Sequence, residues 1–211
     1  MMPADTASPT ESSRPRMIRA ARDELFARGY SALTMDDLAV ELGMSKKTLY
    51  QHFASKEDLV RAAIEEFARE IRAEAEQILS DRHLTFAEKL RGLTGGMLQR
   101  LSQLSPHLFR DLQRFAPALH ELVVSLRRKN IPVIFGRLIE QGQLSGKVRD
   151  DIDPGFAAEF LLHAMQGLMQ PQNLEHLRLA PHQTFERAMN LFFGGLLTPA
   201  GRKDYEKLFG R

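Results

Sequence analysis

The stretch TMDDLAVELGMSKKTLYQHF, residues 34–53, decides the fold class of this chain. Its first half predicts a very short helix. Thr34 is a suitable N-cap, and Leu38 and Leu42, four residues apart, share one apolar side. Gly43 ends this helix because glycine reaches backbone conformations that other residues avoid.

The second half of the stretch predicts another short helix that follows almost at once. Ser45 is again a suitable N-cap, and Leu49 and Phe53 give this helix its buried side. Two short helices joined by a glycine turn form a candidate helix-turn-helix.

The flanking sequence predicts more helices and no strands. One helix over residues 15–28 ends at Gly29, and a long helix over residues 55–79 contains neither Gly nor Pro. Apolar residues recur three and four apart throughout, whereas no alternating strand pattern is found. The sequence therefore predicts an all-α protein, with further helix starts or kinks at Pro106, Pro117, Pro154 and Pro181.

Composition excludes several classes of protein. The 211 residues are 43% hydrophobic and 27% charged, which is typical of a globular protein. The absence of cysteine excludes disulfides, thiolate metal sites and cysteine nucleophiles. The net charge is only +2, but basic residues cluster over residues 14–22 and 42–56, without any acid. No stretch is long and apolar enough for a membrane span, so we expect a cytoplasmic protein.

No pattern in the chain indicates catalysis. The sequence lacks a GxSxG elbow, a phosphate-binding glycine loop and an HExxH metal motif. The seven histidines are scattered without metal-ligand spacing. The chain is therefore predicted not to be an enzyme and to hold neither a cofactor nor a metal.

The second short helix carries a polar stripe opposite its buried side. Lys46 and Tyr50, and Lys47 and Gln51, are pairs four residues apart. Two cations, an amide and a phenol suit contacts to phosphates and to base edges in DNA. The alternative is an ordinary solvated helix face, since helix-turn-helix shapes also occur in proteins that bind no DNA.

The order of residues over about 14–67 closely resembles the N-terminal domain of the TetR family of bacterial transcriptional regulators. The matching segments are Gly29-Tyr30, Asp37-Leu38-Ala39, Leu42-Gly43-Met44-Ser45, Thr48-Leu49-Tyr50, His52-Phe53 and Ser55-Lys56-Glu57. This resemblance implies a three-helix DNA-binding head, continued by a fourth helix into a larger helical body that binds a ligand and dimerises.

The resemblance also implies roles for residues of the head. Thr34, Tyr50, His52 and Lys56 resemble phosphate contacts, while Lys46, Lys47, Thr48 and Gln51 lie where the recognition helix faces bases or nearby backbone. Thr34 and Ser45 have the alternative role of capping helices. Arg14 and Arg16, just before and at the start of the predicted first helix, form a candidate basic arm. The predicted DNA-binding residues are thus Thr34, Ser45, Lys46, Lys47, Thr48, Tyr50, Gln51, His52 and Lys56.

The body offers fewer signals. The resemblance implies a pocket among its central helices, with Met97, Phe109, Phe135, His163 and Met165 as candidate ligand-binding residues; simple core packing is the alternative. Gly95 and Gly96 fall inside one of these helices. We hypothesise that they loosen it beside a cavity, or else permit close helix packing.

The predicted domains follow from these observations. They are a disordered leader at residues 1–13, the DNA-binding domain at 14–60, the ligand-binding and dimerisation domain at 61–200 and a C-terminal tail at 201–211. The nearly apolar segments 156–169 and 185–197 are predicted to form either deep core or a homodimer interface.

The resemblance, together with these features, implies a regulator, most simply a homodimeric repressor that binds a palindromic operator and is released by a small-molecule effector. The alternatives are a ligand-independent DNA-binding, architectural or activator protein of the same fold, and a helical protein-interaction module.

Overall fold

A computed structural model describes residues 13–209, and within this range the protein is all-α, as predicted. No β-strand is found among these residues; an isolated antiparallel bridge joins Val148 to Leu197. None of the helices within this range is long and apolar enough to cross a membrane. The helices are α1 (Ser13–Arg28), α2 (Met35–Glu41), α3 (Lys46–His52), α4 (Lys56–Ser80), α5 (Phe86–Ser102), α6 (Leu108–Phe115), α7 (Pro117–Leu144), α8 (Pro154–Leu168), α9 (Pro171–Leu177), α10 (Pro181–Leu196) and α11 (Pro199–Phe209).

Helices α2 and α3 begin with the side-chain caps that the sequence predicted. Thr34 Oγ1 accepts a hydrogen bond from the Asp37 amide at 3.1 Å, and Ser45 Oγ accepts one from the Thr48 amide at 3.1 Å. Ser55 caps α4 in the same way. Because each cap satisfies a backbone N–H that has no partner inside its own helix, it fixes the first residue of that helix.

The first hydrophobic core joins the helix-turn-helix to the rest of the chain. Leu25, Leu38, Leu49 and Leu59, from α1 to α4, are almost completely buried in it. Leu112 of α6 belongs to the same cluster, and so do Leu108 and Leu119. The N-terminal helices therefore pack directly on the body, with no flexible linker between them.

A second core fills the body between α5, α7, α8 and α10. Leu90, Leu138, Leu161 and Phe193 are nearly inaccessible to solvent. Gly142 permits the close approach of α7, since a Cβ there would lie 2.6 Å from the Phe86 ring and 2.4 Å from a Val148 methyl. This dense packing holds the central helices in fixed positions.

The structure differs from the sequence expectations at both ends of the chain. Helix α1 begins at Ser13, so Arg14 and Arg16 lie in its first turn and do not form an arm before it. Pro15 does not interrupt the helix, because backbone N–H groups in the first turn have no partner inside the helix and the missing N–H of proline costs nothing there. Residues 1–12 of the predicted leader lie outside the described range. At the other end, α11 includes most of the segment predicted as a tail.

The predicted start at Pro106 was two residues early, because α6 begins at Leu108. The turn before it is fixed by Ser105, whose amide donates to the Phe26 carbonyl at 2.6 Å. This hydrogen bond ties the beginning of α6 to α1.

Candidate nucleic-acid interface and body cavity

Helix α3 presents a polar face outward, as predicted from its spacing. Leu49 and Phe53 are buried, at 0% and 4% exposure, whereas Lys47 and Gln51 are exposed and Tyr50 retains 45% exposure. The face opposite the core is therefore exposed to solvent, and the major groove of DNA is wide enough to admit such a helix.

Lys46, at the start of this face, is paired with an acid. Its Nζ lies 2.6 Å from Asp36 Oδ1 of α2, and this hydrogen bond and the charge of Asp36 raise the pKa of Lys46. The pair links the two helices of the helix-turn-helix. It also neutralises part of the positive charge that the face offers to DNA.

Lys56 is turned toward the head itself. Its Nζ donates to the Tyr30 carbonyl at 2.6 Å and lies 4.1 Å from the centre of the Tyr30 ring. Burial lowers the pKa of Lys56 and also raises the pKa of Tyr30. Lys56 thus ties the start of α4 to the turn after α1, and its contact with phosphate remains a prediction.

The beginning of α1 lies beside the end of α3. His52 Nε2 is 3.2 Å from Ser13 Oγ, and the Arg14 guanidinium is 5.1 Å from the centre of the Phe53 ring. Arg14 and Arg16 are exposed there, so they add positive charge next to the recognition face.

The remaining predicted DNA contacts lie at the helix N-termini. Thr34 and Ser45 are exposed and act as caps, while Thr48 is half-buried, with its Oγ1 2.8 Å from Ser45 Oγ. Each of these hydroxyls is thus already engaged with the local backbone or a neighbour. Contacts between these three residues and DNA remain predictions.

A cavity of about 220 Å³ lies between α1, α4, α5, α6, α7, α8 and α10, together with the turn before α6. Four of the five predicted ligand residues line it: Met97, Phe109, Phe135 and Met165. The prediction for His163 was wrong. It lies on the outer side of α8, 3.8 Å from Glu159 one turn earlier, whereas Met165 points inward.

Few charged groups line this cavity. Glu74 of α4 and Arg100 of α5 form an ion pair with each other, and Asn130 adds an amide. Arg127 of α7 also lines the cavity, with its guanidinium 5.0 Å from the centre of the Phe109 ring. Burial lowers the pKa of Arg127 to about 10.

Sequence reasoning did not single out Arg127, although a signal exists. Val123, Arg127 and Ile131 are four residues apart and therefore lie on one stripe of α7. A charged residue within an apolar stripe is the unusual feature, because such a stripe is normally buried.

Helix α6 connects the cavity with the helix-turn-helix. Its Leu108 and Phe109 line the cavity, while Asp111 is buried against the head. Asp111 Oδ2 accepts hydrogen bonds from the Ser31 amide at 3.0 Å and the Ser31 hydroxyl at 2.5 Å. Gly29, with φ +85°, keeps this approach open, since a Cβ there would lie 2.9 Å from the same oxygen. Helix α6 therefore contacts both the cavity and the turn before α2.

Helices α8 and α10 leave aromatic and aliphatic side chains on the surface. Phe156 and Phe160 of α8 are 68% and 58% exposed, and Leu191 of α10 is 82% exposed. Phe160 stacks on Phe192 of α10 with ring centres 6.3 Å apart. The two helices thus share one outward apolar face.

Two short capped helices on a shared core, the second with an outward polar face, form a helix-turn-helix, which is the arrangement of many DNA-binding proteins. Residues 17–63 match the family model described as bacterial regulatory proteins of the tetR family. Residues 17–63 therefore form a TetR-type DNA-binding domain, and the chain is a DNA-binding transcriptional regulator.

Similar proteins support this assignment over more of the chain. The chain is 24% identical to an uncharacterized HTH-type transcriptional regulator, YvaF of Bacillus subtilis, over 80% of its own length and 87% of the relative. It is 26% identical to the HTH-type transcriptional repressor KstR2 of Mycolicibacterium smegmatis, over 76% and 79% of the two chains. A regulatory protein TetR structure from Rhodobacter sphaeroides shares the fold, with a TM-score of 0.67, 20% identity and coverage of 88% and 100%.

Proposed function

We propose that the protein is a homodimeric, cytoplasmic repressor that binds a palindromic operator and is released by a small-molecule effector. The observation that carries this proposal is the position of α6, which lines the body cavity on one side and holds the head through Asp111 on the other. In this proposal residues 14–60 form the DNA-binding domain and residues 61–200 the effector-binding and dimerisation domain.

Helix α3 enters the major groove in this proposal. Lys46, Lys47, Thr48 and Gln51 face base edges or nearby backbone, because a lysine suits guanine acceptors and a glutamine suits the adenine edge. The contacts to phosphate come from Thr34, Tyr50, His52 and Lys56, which lie on α3 or at the adjoining ends of α2 and α4. Ser45, the N-cap of α3, is a further proposed DNA contact.

The exposed face of α8 and α10 is the proposed dimer interface. Phe156, Phe160 and Leu191 would leave water when the same face of a second copy covers them, as twofold symmetry permits. Two recognition helices held in this way meet successive major grooves about 34 Å apart.

Release follows from thermodynamic linkage. A ligand that binds the cavity more tightly when α6 has moved must lower the affinity for the operator. The operator must lower the affinity for this ligand by the same factor. The hydrogen bonds from Ser31 to Asp111 couple that movement to the head. Helix α4 is itself unbroken and runs from the residues that follow the recognition helix to the cavity wall.

Selection of bound duplexes from a random DNA pool tests the DNA part of this proposal. We expect a palindrome whose affinity falls steeply with salt, because lysines replace counterions on phosphates. The recovered operator, placed before a reporter gene, should lower expression when the protein is present. Recovery of no motif by a folded dimer would contradict the operator, and raised expression would identify an activator.

A further inference from the structure

The cavity in the body has an apolar wall with an unbalanced positive charge. Among the described residues that line it, the charged ones are Glu74, Arg100 and Arg127. Glu74 and Arg100 neutralise each other through their ion pair. Arg127 therefore leaves the wall with one positive charge that has no counterpart.

Arg127 has no acidic partner within residues 13–209. Its guanidinium lies over the Phe109 ring, 5.0 Å from the ring centre. A cation over an aromatic face replaces only part of the hydration lost on burial. The residue keeps intermediate exposure, and it lines the cavity. Its pKa of about 10 is lowered by burial but lies above neutral pH, so the guanidinium remains charged.

The size of the cavity limits what can balance this charge. At about 220 Å³ it exceeds the roughly 150 Å³ in which a benzene ring binds and is smaller than pockets of about 300 Å³ or more that hold drug-sized ligands. It suits a molecule of roughly ten non-hydrogen atoms by the same comparison.

We propose that the cavity binds an apolar molecule of this size with a single carboxylate, and that Arg127 is the residue that receives the carboxylate. A guanidinium offers two parallel N–H donors to a carboxylate, and such bonds are strongest where water is excluded. The apolar part lies against the walls from α4, α5 and α10, where Ile71, Met97 and Phe185 contribute. This inference rests on the proposed function, in which an effector occupies this cavity.

Calorimetric titration of the full chain with three matched probes tests the charge preference. Octanoate, 1-octanol and octylamine share one alkyl chain and differ in the charge of the head group. We expect octanoate to bind about tenfold or more tightly than octanol, and octylamine to bind least. An aromatic acid, 4-phenylbutyrate, tells whether the apolar part is an alkyl chain or a ring.

Two arginines that follow each other on α7 give a matched pair of variants. Arg127→Met keeps the apolar stem and removes the charge, while Arg128→Met makes the same change on an exposed residue. We expect Arg127→Met to bind octanoate and octanol equally and Arg128→Met to behave as the original protein. The Arg127→Met variant should remain folded in a melting experiment, because a half-buried charge without an acidic partner is replaced by an apolar group.

Equal binding of octanoate and octanol by the original protein would overturn the inference, and so would an unchanged preference in Arg127→Met. Failure of all the carboxylates to bind would do the same. Operator binding is measured separately. If octanol but not octanoate releases the protein from the operator, the proposed function is supported and the carboxylate preference is contradicted. Tight octanoate binding without release would support the inference against effector control.

Discussion

At the scale of single residues, the Asp36–Lys46 pair sets how much positive charge the recognition face offers to DNA. The pair is exposed and joins α2 to α3 at 2.6 Å. Asp36→Asn would remove a negative charge near the phosphates and free the Lys46 ammonium. We expect affinity for operator and random DNA to rise roughly fivefold at low salt, because exposed charges interact weakly and are screened.

Fluorescence anisotropy with labelled duplexes at two salt concentrations measures this effect. Glu41→Gln, at the other end of α2, is the control for a simple change of net charge. An equal gain in both variants would show that the specific pair with Lys46 has no influence.

Lys47, Gln51 and Lys56 have different predicted effects on DNA binding. Lys47→Ala and Gln51→Ala should each reduce discrimination between operator and random DNA about tenfold, since a good contact to a base edge contributes roughly 1–3 kcal/mol. Neither change should lower the melting temperature, because both side chains are exposed.

Lys56→Ala should weaken all DNA equally and also lower the melting temperature, because its ammonium holds the Tyr30 carbonyl. Binding isotherms on both duplexes and thermal melts of the three variants separate the two behaviours. A selective loss of operator binding in Lys56→Ala would place that residue among the base-reading contacts.

At the scale of helices, the two adjacent glycines in α5 have different surroundings. The helix runs unbroken through both, and a Cβ on the exposed Gly95 would meet nothing within 4 Å. A Cβ on Gly96 would lie 3.0 Å from Glu74 Oε1 and 3.1 Å from Arg100 Nη1. Gly96 therefore leaves room for the ion pair on the cavity wall, in line with the close-packing alternative.

Gly95→Ala should stabilise the protein by about 1 kcal/mol, the difference in helix propensity between the two residues. Gly96→Ala should gain less than this or lose stability, because the ion pair must shift. Urea denaturation of the two variants, with equal slopes, measures the difference. A larger gain at Gly96 than at Gly95 would contradict the close-packing explanation.

Helix α6 gives a second prediction at this scale. Asp111→Ala removes the acceptor for both hydrogen bonds from Ser31. We expect the free energy of unfolding to fall by about 1–2 kcal/mol, because the two Ser31 donors lose their partner but remain partly accessible to water. Hydrogen exchange should increase in the turn before α2. The exposed Asp150→Ala variant is the control, and equal effects of the two changes would exclude a specific contact between α6 and the head.

The sequence predicted the local features of these helices well. Capping by Thr34 and Ser45 depends on residues three positions apart, so these caps were visible in the sequence. The Asp111 bond to Ser31 joins residues 80 positions apart, and no local pattern marks it. His163 was misassigned because α8 is apolar on most of its circumference, so its sequence does not distinguish the cavity side from the outer side.

At the scale of the whole molecule, the outward apolar face of α8 and α10 determines the proposed assembly. Leu191 is 82% exposed on α10, and Leu144 is 89% exposed at the end of α7. The two leucines differ in their place on the surface more than in their exposure. They therefore provide a matched pair for testing which surface forms the dimer.

Leu191→Asp should give a folded monomer, because a second copy would have to bury a charge against apolar side chains. Leu144→Asp should remain a dimer. Since two linked heads bind a palindrome far more tightly than one, the monomer should lose about a hundredfold or more in affinity for the full operator and little for a half-site. Sedimentation velocity measures the assembly and anisotropy the DNA affinity. A dimeric Leu191→Asp, or a monomer that still binds the palindrome tightly, would show that α8 and α10 do not set the spacing of the two recognition helices.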